Sequence, residues 1–375
     1  MLDRRYPHLH FREWPFWKVP DDTVSRFMAD RRQVLEEVHL ILRGLSRRDR
    51  SSIHPMWAWF GAGKSHTLRH ICHLCRTQYR ELLPAYTEFP RAPYSFIDLY
   101  ALLVQALDWD TLRKLCMEVL RKVGRQQLNR QVSGGFWEFT KAVELLGMGN
   151  EEHQEIATAW LRAERIHLAT LRSLGIARRI ETPDDAVRAA SSLVRLVALS
   201  QPYSRLVWII DEFQRIATCK SRLRAEINTC LHSMFNACPN SLSLFLSFSV
   251  RMQEHMFALL SQEVIDRIGI ERRIIMPPLS QEEARAFVEE LFQEFRTPDK
   301  ALPSPMFPFE DECVDFVIGV AEKKGDLTPR SIMDHLNAVL DEADPLIEKG
   351  EIAVITSEFA RQVFKRRPME EVEQE

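Results

Sequence analysis

The chain contains no apolar run approaching the roughly 18 residues that would cross a bilayer as a helix. Its opening residues, MLDRRYPHLH, hold no apolar stretch of the kind a secretory signal needs. A cytoplasmic protein with no membrane association is therefore expected. Neither sign of charge is in excess, since the formal net charge is −3 over 375 residues. That excludes a generally basic nucleic-acid binder, and any such surface has to be a local patch. The seven cysteines, at 72, 75, 116, 219, 230, 238 and 313, are odd in number. Cys72 and Cys75 frame His73, yet no second ligand pair stands at zinc spacing, so reduced cysteines packed in a core are expected. Internal repeats and low-complexity segments are also lacking. What remains is 45% hydrophobic and 27% charged, an ordinary composition for a soluble globular chain long enough for two domains.

The stretch that organises the rest is MWAWFGAGKSHTL, residues 56–68. Ala58 to Ser65 follows the phosphate-binding pattern G-x-x-x-x-G-K-[ST], with Ala58 where the first glycine is expected. Gly61 and Gly63 allow close backbone approach to an anion. Lys64 is placed to reach the β- and γ-phosphates, and the Ser65 hydroxyl to coordinate Mg²⁺. Nucleotide contacts are expected along Phe60, Gly61, Ala62, Gly63, Lys64, Ser65 and His66. Residues 67–74 then open a helix whose positive end faces the phosphates. The bland alternative is a glycine-rich turn bearing a surface lysine. A second landmark weighs against it. RLVWIIDE, residues 205–212, is an apolar run ending in two carboxylates. Such a run reads as a strand buried on both faces of a parallel sheet. Asp211 and Glu212 then fall at its carboxyl end, where α/β sheets bind ligands. Asp211 is the expected Mg²⁺ carboxylate, and Glu212 the group that polarises the attacking water. Taken alone, Asp-Glu after a strand is as readily a helix N-cap.

In chain order, residues 1–20 form an aromatic arm that packs over the domain or over a nucleotide base, packing being favoured. A helix is expected from Asp21 and Asp22 to about Gly44, with Arg31 and Arg32 inside it. Residues 52–60 form the strand that feeds the loop. Residues 84–93 read as a loop and 94–99 as the second strand. From about 108 to 200 the pattern is helical, an insertion too long for an ordinary crossover. Residues 221–236 are helical, and 241–250, SLSLFLSFSV, form the next strand, with Ser247 and Ser249 on one face. A hydroxyl there serves either the γ-phosphate and attacking water or a neighbouring strand. Residues 274–279 are the last strand and its exit, and Ser280 with Glu283 begins a helix by a capping box. The expected domains are an N-terminal arm and helix at 1–50, an α/β nucleotide-binding domain at 51–277, a helical lid at 278–368 and an acidic tail at 369–375.

This order of elements resembles the AAA+ ATPases, in the initiator-like clade. That clade holds origin-recognition ATPases, transposon target-selection ATPases and ATP-binding proteins of BREX-type phage exclusion. The residues carrying the resemblance are FGAGKSHTL at 60–68, WLRAERIHLATLRSLGI at 160–176, VWIIDEF at 207–213, RIIMPPLSQEEARAFV at 273–288 and GDLTPRSIMDHL at 325–336. It covers about residues 20–365. It implies ATP and Mg²⁺ as cofactors, and an α/β fold with a parallel sheet, a helical insertion and an all-helical lid. By position, Ser249, with Ser247 as second choice, matches the family's first sensor. Arg330, at a helix start after Pro329, matches the lid's second sensor, which couples lid angle to nucleotide state. Arg267 matches the arginine finger that a neighbouring subunit inserts, with Arg272 and Arg273 competing for the role. Homo-oligomers, DNA and a partner effector protein are the implied partners, in bacterial phage defence or transposition.

Two departures stand out. Ala58 in place of glycine is expected to weaken closure of the loop and slow turnover. No winged-helix pattern is evident after the lid, so DNA contact is expected to fall to patches such as Arg121, Lys122, Arg125 and Arg130, or Arg215, Lys220, Arg222 and Arg224. Each patch is more readily read as a solvated helix face than as a DNA contact. Glu212 favours an ATP-hydrolysing machine. Ala58 and the missing DNA-binding domain favour a slow ATP-bound switch that recruits an effector through the insertion. A small-molecule kinase has no substrate motif to support it.

Overall fold

The computed structural model describes residues 6–16, 24–29, 31–47, 50–249, 253–268, 273–297, 302–325 and 327–366. The chain divides into two compact units, one of residues 34–58 and 71–275, the other of residues 1–33, 59–70 and 276–375.

The first unit is built on a five-stranded sheet. Its strands are β1 (Ser52–Ala58), β2 (Leu82–Glu88), β3 (Arg205–Asp211), β4 (Leu242–Phe248) and β5 (Ile274–Met276), in the spatial order β2-β3-β4-β1-β5. The pairs β1–β4, β2–β3 and β3–β4 are all parallel. Every residue of β3 and of β4 is buried, as central strands covered on both faces require. The serines of β4 are therefore inside rather than on a wet face. Ser243 meets the buried Arg205 guanidinium at 3.1 Å and Ser52 Oγ at 3.1 Å, near the amino ends of the strands. Ser247 lies at the carboxyl ends.

The second strand differs from the sequence reading. It is β2, which runs through Pro84, and the expected strand at 94–99 is instead the start of helix α3 (Phe96–Gln105). Pro84 is tolerated because β2 is an edge strand, whose outer side makes no ladder bonds. Ser95 caps α3 through a capping box with Asp98, and the Glu226 carboxylate accepts the Phe96 N–H at 2.9 Å. Phe96, Leu99, Tyr100, Leu103 and Val104 form its buried stripe, a helical rather than a strand period. The first long helix, numbered α1, also differs. It spans Arg32–Arg47, carrying Gly44 inside it, and a single 3₁₀ turn at Val24–Arg26 precedes it. Asp21 and Asp22 lie outside the described residues.

Helix α2 (Lys64–Thr77) follows the loop after β1. Between β2 and β3 the described residues hold helices and no strand. After α3 come α4 (Trp109–Gln127), α5 (Trp137–Met148), α6 (Glu151–Leu161), α7 (Leu168–Ser173) and α8 (Pro183–Leu199). Asp108 and Thr182 cap α4 and α8. Leu115, Val119, Phe139, Val143, Trp160 and Leu193 join these helices to one core with the sheet. Helix α9 (Ser221–Ala237) lies between β3 and β4, and the short α10 (Gln253–Ala258) and α11 (Gln262–Ile265) follow β4.

The second unit contains the helices α12 (Gln281–Phe295), α13 (Asp311–Lys323), α14 (Pro329–Glu348) and α15 (Ser357–Arg366). The capping box expected at Ser280 and Glu283 is formed. The aromatic arm belongs to this helical core. Leu9, Phe11 and Phe16 are buried with Phe292, Leu336 and Val339. Phe11 bridges to Arg296, and the Trp14 indole N–H donates to Asn337 at 2.7 Å. Among the described residues no helix is long and apolar enough to cross a membrane.

Candidate nucleotide site

The parallel register sets the carboxyl ends of β1, β3 and β4 at one edge of the sheet, with Trp57 opposite Phe248 and Ile210 opposite Leu246. The phosphate loop leaves from the end of β1. Ala58 is the last residue of that strand and is fully buried. Within the loop only Gly61 (φ +80°) and Gly63 (φ +91°) take the left-handed backbone. Ala58 itself therefore needs no left-handed backbone.

Gly61 is confined by its neighbours as well as by its φ. A Cβ there would lie 2.8 Å from Thr328 Oγ1 and 3.2 Å from Arg330 Cβ. The Arg330 N–H donates to the Gly61 carbonyl at 3.3 Å, and the Arg330 guanidinium stands 5.0 Å from the ring centre of the exposed Phe60. The start of α14 therefore rests on the loop, with Thr328 as its cap. Lys64 begins α2 and is buried, and Ser65 beside it is half-buried. Ala62 is buried, and its carbonyl accepts from Arg31 at 3.2 Å. The other guanidinium nitrogen of Arg31 donates to the Pro277 carbonyl at 3.1 Å. The sequence reading put Arg31 inside a helix, and nothing in its local pattern marks a contact 31 positions away. His66 is bonded through Nε2 to the Phe27 carbonyl at 2.6 Å, and burial lowers its pKa, partly opposed by that bond.

At the end of β3, the Asp211 carboxylate is buried. The Tyr86 hydroxyl donates to its Oδ2 at 2.9 Å, the Ser247 hydroxyl to its Oδ1 at 2.5 Å and the Glu212 N–H to its Oδ1 at 2.8 Å. Glu212 takes a left-handed backbone (φ 56°, ψ 33°), uncommon outside glycine and frequent where strain serves a site. Its N–H also meets Ser247 Oγ at 3.0 Å. Its carboxylate accepts from Gln214 Nε2 at 2.8 Å and lies 3.7 Å from the Arg215 guanidinium. Arg215 also donates to the Phe89 carbonyl at 2.9 Å and lies 3.7 Å from Glu88.

No protein-family model matches the chain, and no curated protein matches it in sequence. Solved structures do. Aeropyrum pernix ORC2 protein, in its ADPNP–ADP complexes, aligns with TM-score 0.54 and 15% identity over 93% of this chain and 72% of that one. Aeropyrum pernix ORC1 protein in complex with DNA aligns with TM-score 0.50 and 12% identity over 94% and 70%. Drosophila ORC bound to DNA aligns with TM-score 0.50 and 12% identity over 97% of this chain, which spans 65% of that one. The fold is that of the origin-recognition proteins.

Within this origin-recognition fold the other expected site residues fall as follows. Ser247, second choice in sequence, is the serine whose hydroxyl joins Asp211 and Glu212. Ser249 lies just past β4, and its N–H donates to Gln214 Oε1 at 3.1 Å. Arg267 is exposed after α11 and donates to Asn236 Oδ1 at 2.7 Å. Arg273 stacks 4.7 Å over Phe257, and Arg272 lies outside the described residues. Of the basic patches, Lys122 bonds the Leu199 carbonyl at 3.2 Å, and Arg125 pairs with Glu144 at 2.5 Å. Arg224 bonds the Ala217 carbonyl at 3.1 Å. Cys72 and Cys75 are buried, and burial pushes the Cys75 thiol well up. Tyr86, Gln214 and Arg215 were not picked out for this site by the sequence. Tyr86 faces Asp211 only because β2 pairs with β3, and Gln214 and Arg215 lie in the 3₁₀ turn (Phe213–Thr218) that follows Glu212.

Proposed function

We propose that the chain is an ATP-binding and ATP-hydrolysing AAA+ protein that works as a homo-oligomer in the cytoplasm, on DNA or with a partner effector. The observation that carries this reading is the buried Asp211 carboxylate at the end of β3, ringed by hydroxyls and followed by Glu212 in a left-handed conformation.

The donor types suit Mg²⁺. Among the described residues no group of three or more His, Cys, Asp or Glu converges as a transition-metal site would require. A hard cation needs only one or two carboxylates with hydroxyls, water and phosphate oxygens, and Asp211 and Ser65 are each donors of that type. When bound, Mg²⁺ neutralises charge on the phosphates. Phe60, Gly61, Ala62, Gly63, Lys64, Ser65 and His66 are assigned to nucleotide binding. Lys64 brings a fixed cation to the phosphates, and the left-handed glycines bring backbone N–H groups. Glu212 takes the role of general base, and Ser247, ahead of Ser249, the role of first sensor. Arg330, already against the loop, is the lid's arginine, and Arg267 is the finger supplied to a neighbour. DNA is supported by the neighbours of like fold that were solved with it. A setting in phage defence or transposition rests on the sequence resemblance alone.

A second reading, a slowly turning-over switch that recruits an effector, is favoured by Trp137 and Met148, which are 41% and 68% exposed on the insertion. Steady-state ATP turnover with and without duplex DNA, read beside mass photometry, separates the two. The motor reading expects turnover that rises on assembly. The switch reading expects ATP-bound species with almost none.

A further inference from the structure

We propose that Gln214 is a positioning residue for Glu212, holding the base carboxylate and tying it to the exit of β4. The inference rests on the hydrolysis reading above. The backbone of Glu212 is already fixed by its N–H, which bonds both Asp211 Oδ1 and Ser247 Oγ. The freedom left to the residue is that of its side chain. Gln214 acts on that freedom with both ends of one carboxamide. Its Nε2 donates to Glu212 Oε2 at 2.8 Å, and its Oε1 accepts the Ser249 N–H at 3.1 Å.

A donor on a carboxylate oxygen orients the carboxylate without neutralising it. The acceptor end anchors the donor to backbone at the end of a central strand, so the orientation is referred to the sheet rather than to a mobile side chain. A general base has to stand within hydrogen-bond reach of the proton it takes, and small misplacements are costly. Arg215, 3.7 Å from the same oxygen, adds charge attraction but no such angular constraint. The proposal also accounts for Ser249. Its backbone N–H is the anchor for the carboxamide.

Two variants separate the two bonds. Gln214→Ala removes both. Gln214→Glu keeps the side-chain size and the acceptor for Ser249 but replaces the donor by a like charge beside Glu212. Full-length protein with ATP and Mg²⁺ is assayed for kcat, KM and equilibrium affinity for a fluorescent ATP analogue, with a thermal melt for each variant. The expected result is a kcat lowered by roughly 10- to 100-fold in both variants, since misplacement of a catalytic group costs on that order. KM, nucleotide affinity and the melt of Gln214→Glu stay near wild type. The double variant Gln214→Ala with Glu212→Gln should lose nothing beyond Glu212→Gln alone, because a residue that acts through Glu212 has nothing left to position. Wild-type or raised kcat in the single variants overturns the proposal. So does a full additional loss on the Glu212→Gln background, which would mean that Gln214 acts elsewhere. Absence of turnover in the wild-type protein removes the hydrolysis reading itself, and this inference with it.

Discussion

The Ser247 hydroxyl donates to Asp211 Oδ1 at 2.5 Å and accepts the Glu212 N–H at 3.0 Å, so one buried side chain serves both acidic residues. Removing it leaves the carboxylate with one donor fewer and the left-handed Glu212 with one acceptor fewer. Ser247→Ala is expected to destabilise the protein by about 1–3 kcal/mol, the usual cost of leaving buried polar groups short of partners. It should also lower turnover more than Ser249→Ala, because Ser249 meets Gln214 through its backbone N–H. Chemical denaturation and steady-state kinetics of the two variants side by side check this. Equal losses would return the sensor role to Ser249.

The phosphate loop offers a contrast between charge and shape. Gly61→Ala puts a methyl 2.8 Å from Thr328 Oγ1 on a backbone at φ +80°. Destabilisation of about 1–3 kcal/mol is expected from that strain, together with weakened nucleotide binding. Lys64→Met keeps most of the bulk of a buried side chain and removes its charged ammonium group. It should abolish ATP affinity while the melt without nucleotide stays near wild type. Nucleotide titration and differential scanning calorimetry separate the two outcomes.

Hydrolysis and binding are expected to part at Glu212. Glu212→Gln preserves shape and much of the hydrogen bonding but removes the base. ATP should still bind, with turnover lower by about 10² or more, within the range general-base catalysis supplies. Unchanged turnover would assign the water to another residue.

Arg267 is exposed and donates to Asn236. As a finger given to a neighbour, its loss should leave a folded protein that binds ATP, with turnover reduced by roughly 10³ or more. Mixing Arg267→Ala with Glu212→Gln protein should recover part of the activity, because mixed oligomers contain interfaces with both wild-type residues. Co-assembly without recovery would pass the role to Arg272 or Arg273.

The sequence alone determined what depends on residues close along the chain. A glycine-rich turn before Lys64 and Ser65 is a local backbone requirement. The run RLVWIIDE places two carboxylates at a strand end whatever surrounds it. The boxes and caps at Ser280, Thr182 and Asp108 are likewise short-range hydrogen-bond chemistry. Tertiary structure decided the rest, because those outcomes depend on which element lies beside which. Pro84 sits in a strand at the sheet edge, a place set by which strands pair. The apolar stretch after Ser95 is a helix because its stripe packs on the core and Glu226 caps its start. Tyr86 reaches Asp211 only through the β2–β3 register. Arg31 reaches Ala62 across 31 positions, and the aromatic arm finds Phe292 far along the chain. Ser247 and Ser249 share a face by parity, yet only where β4 ends showed that the Ser247 hydroxyl meets Asp211 while the Ser249 N–H meets Gln214. A two-residue step along a strand is about 6–7 Å, enough to carry a hydroxyl beyond the reach of a carboxylate.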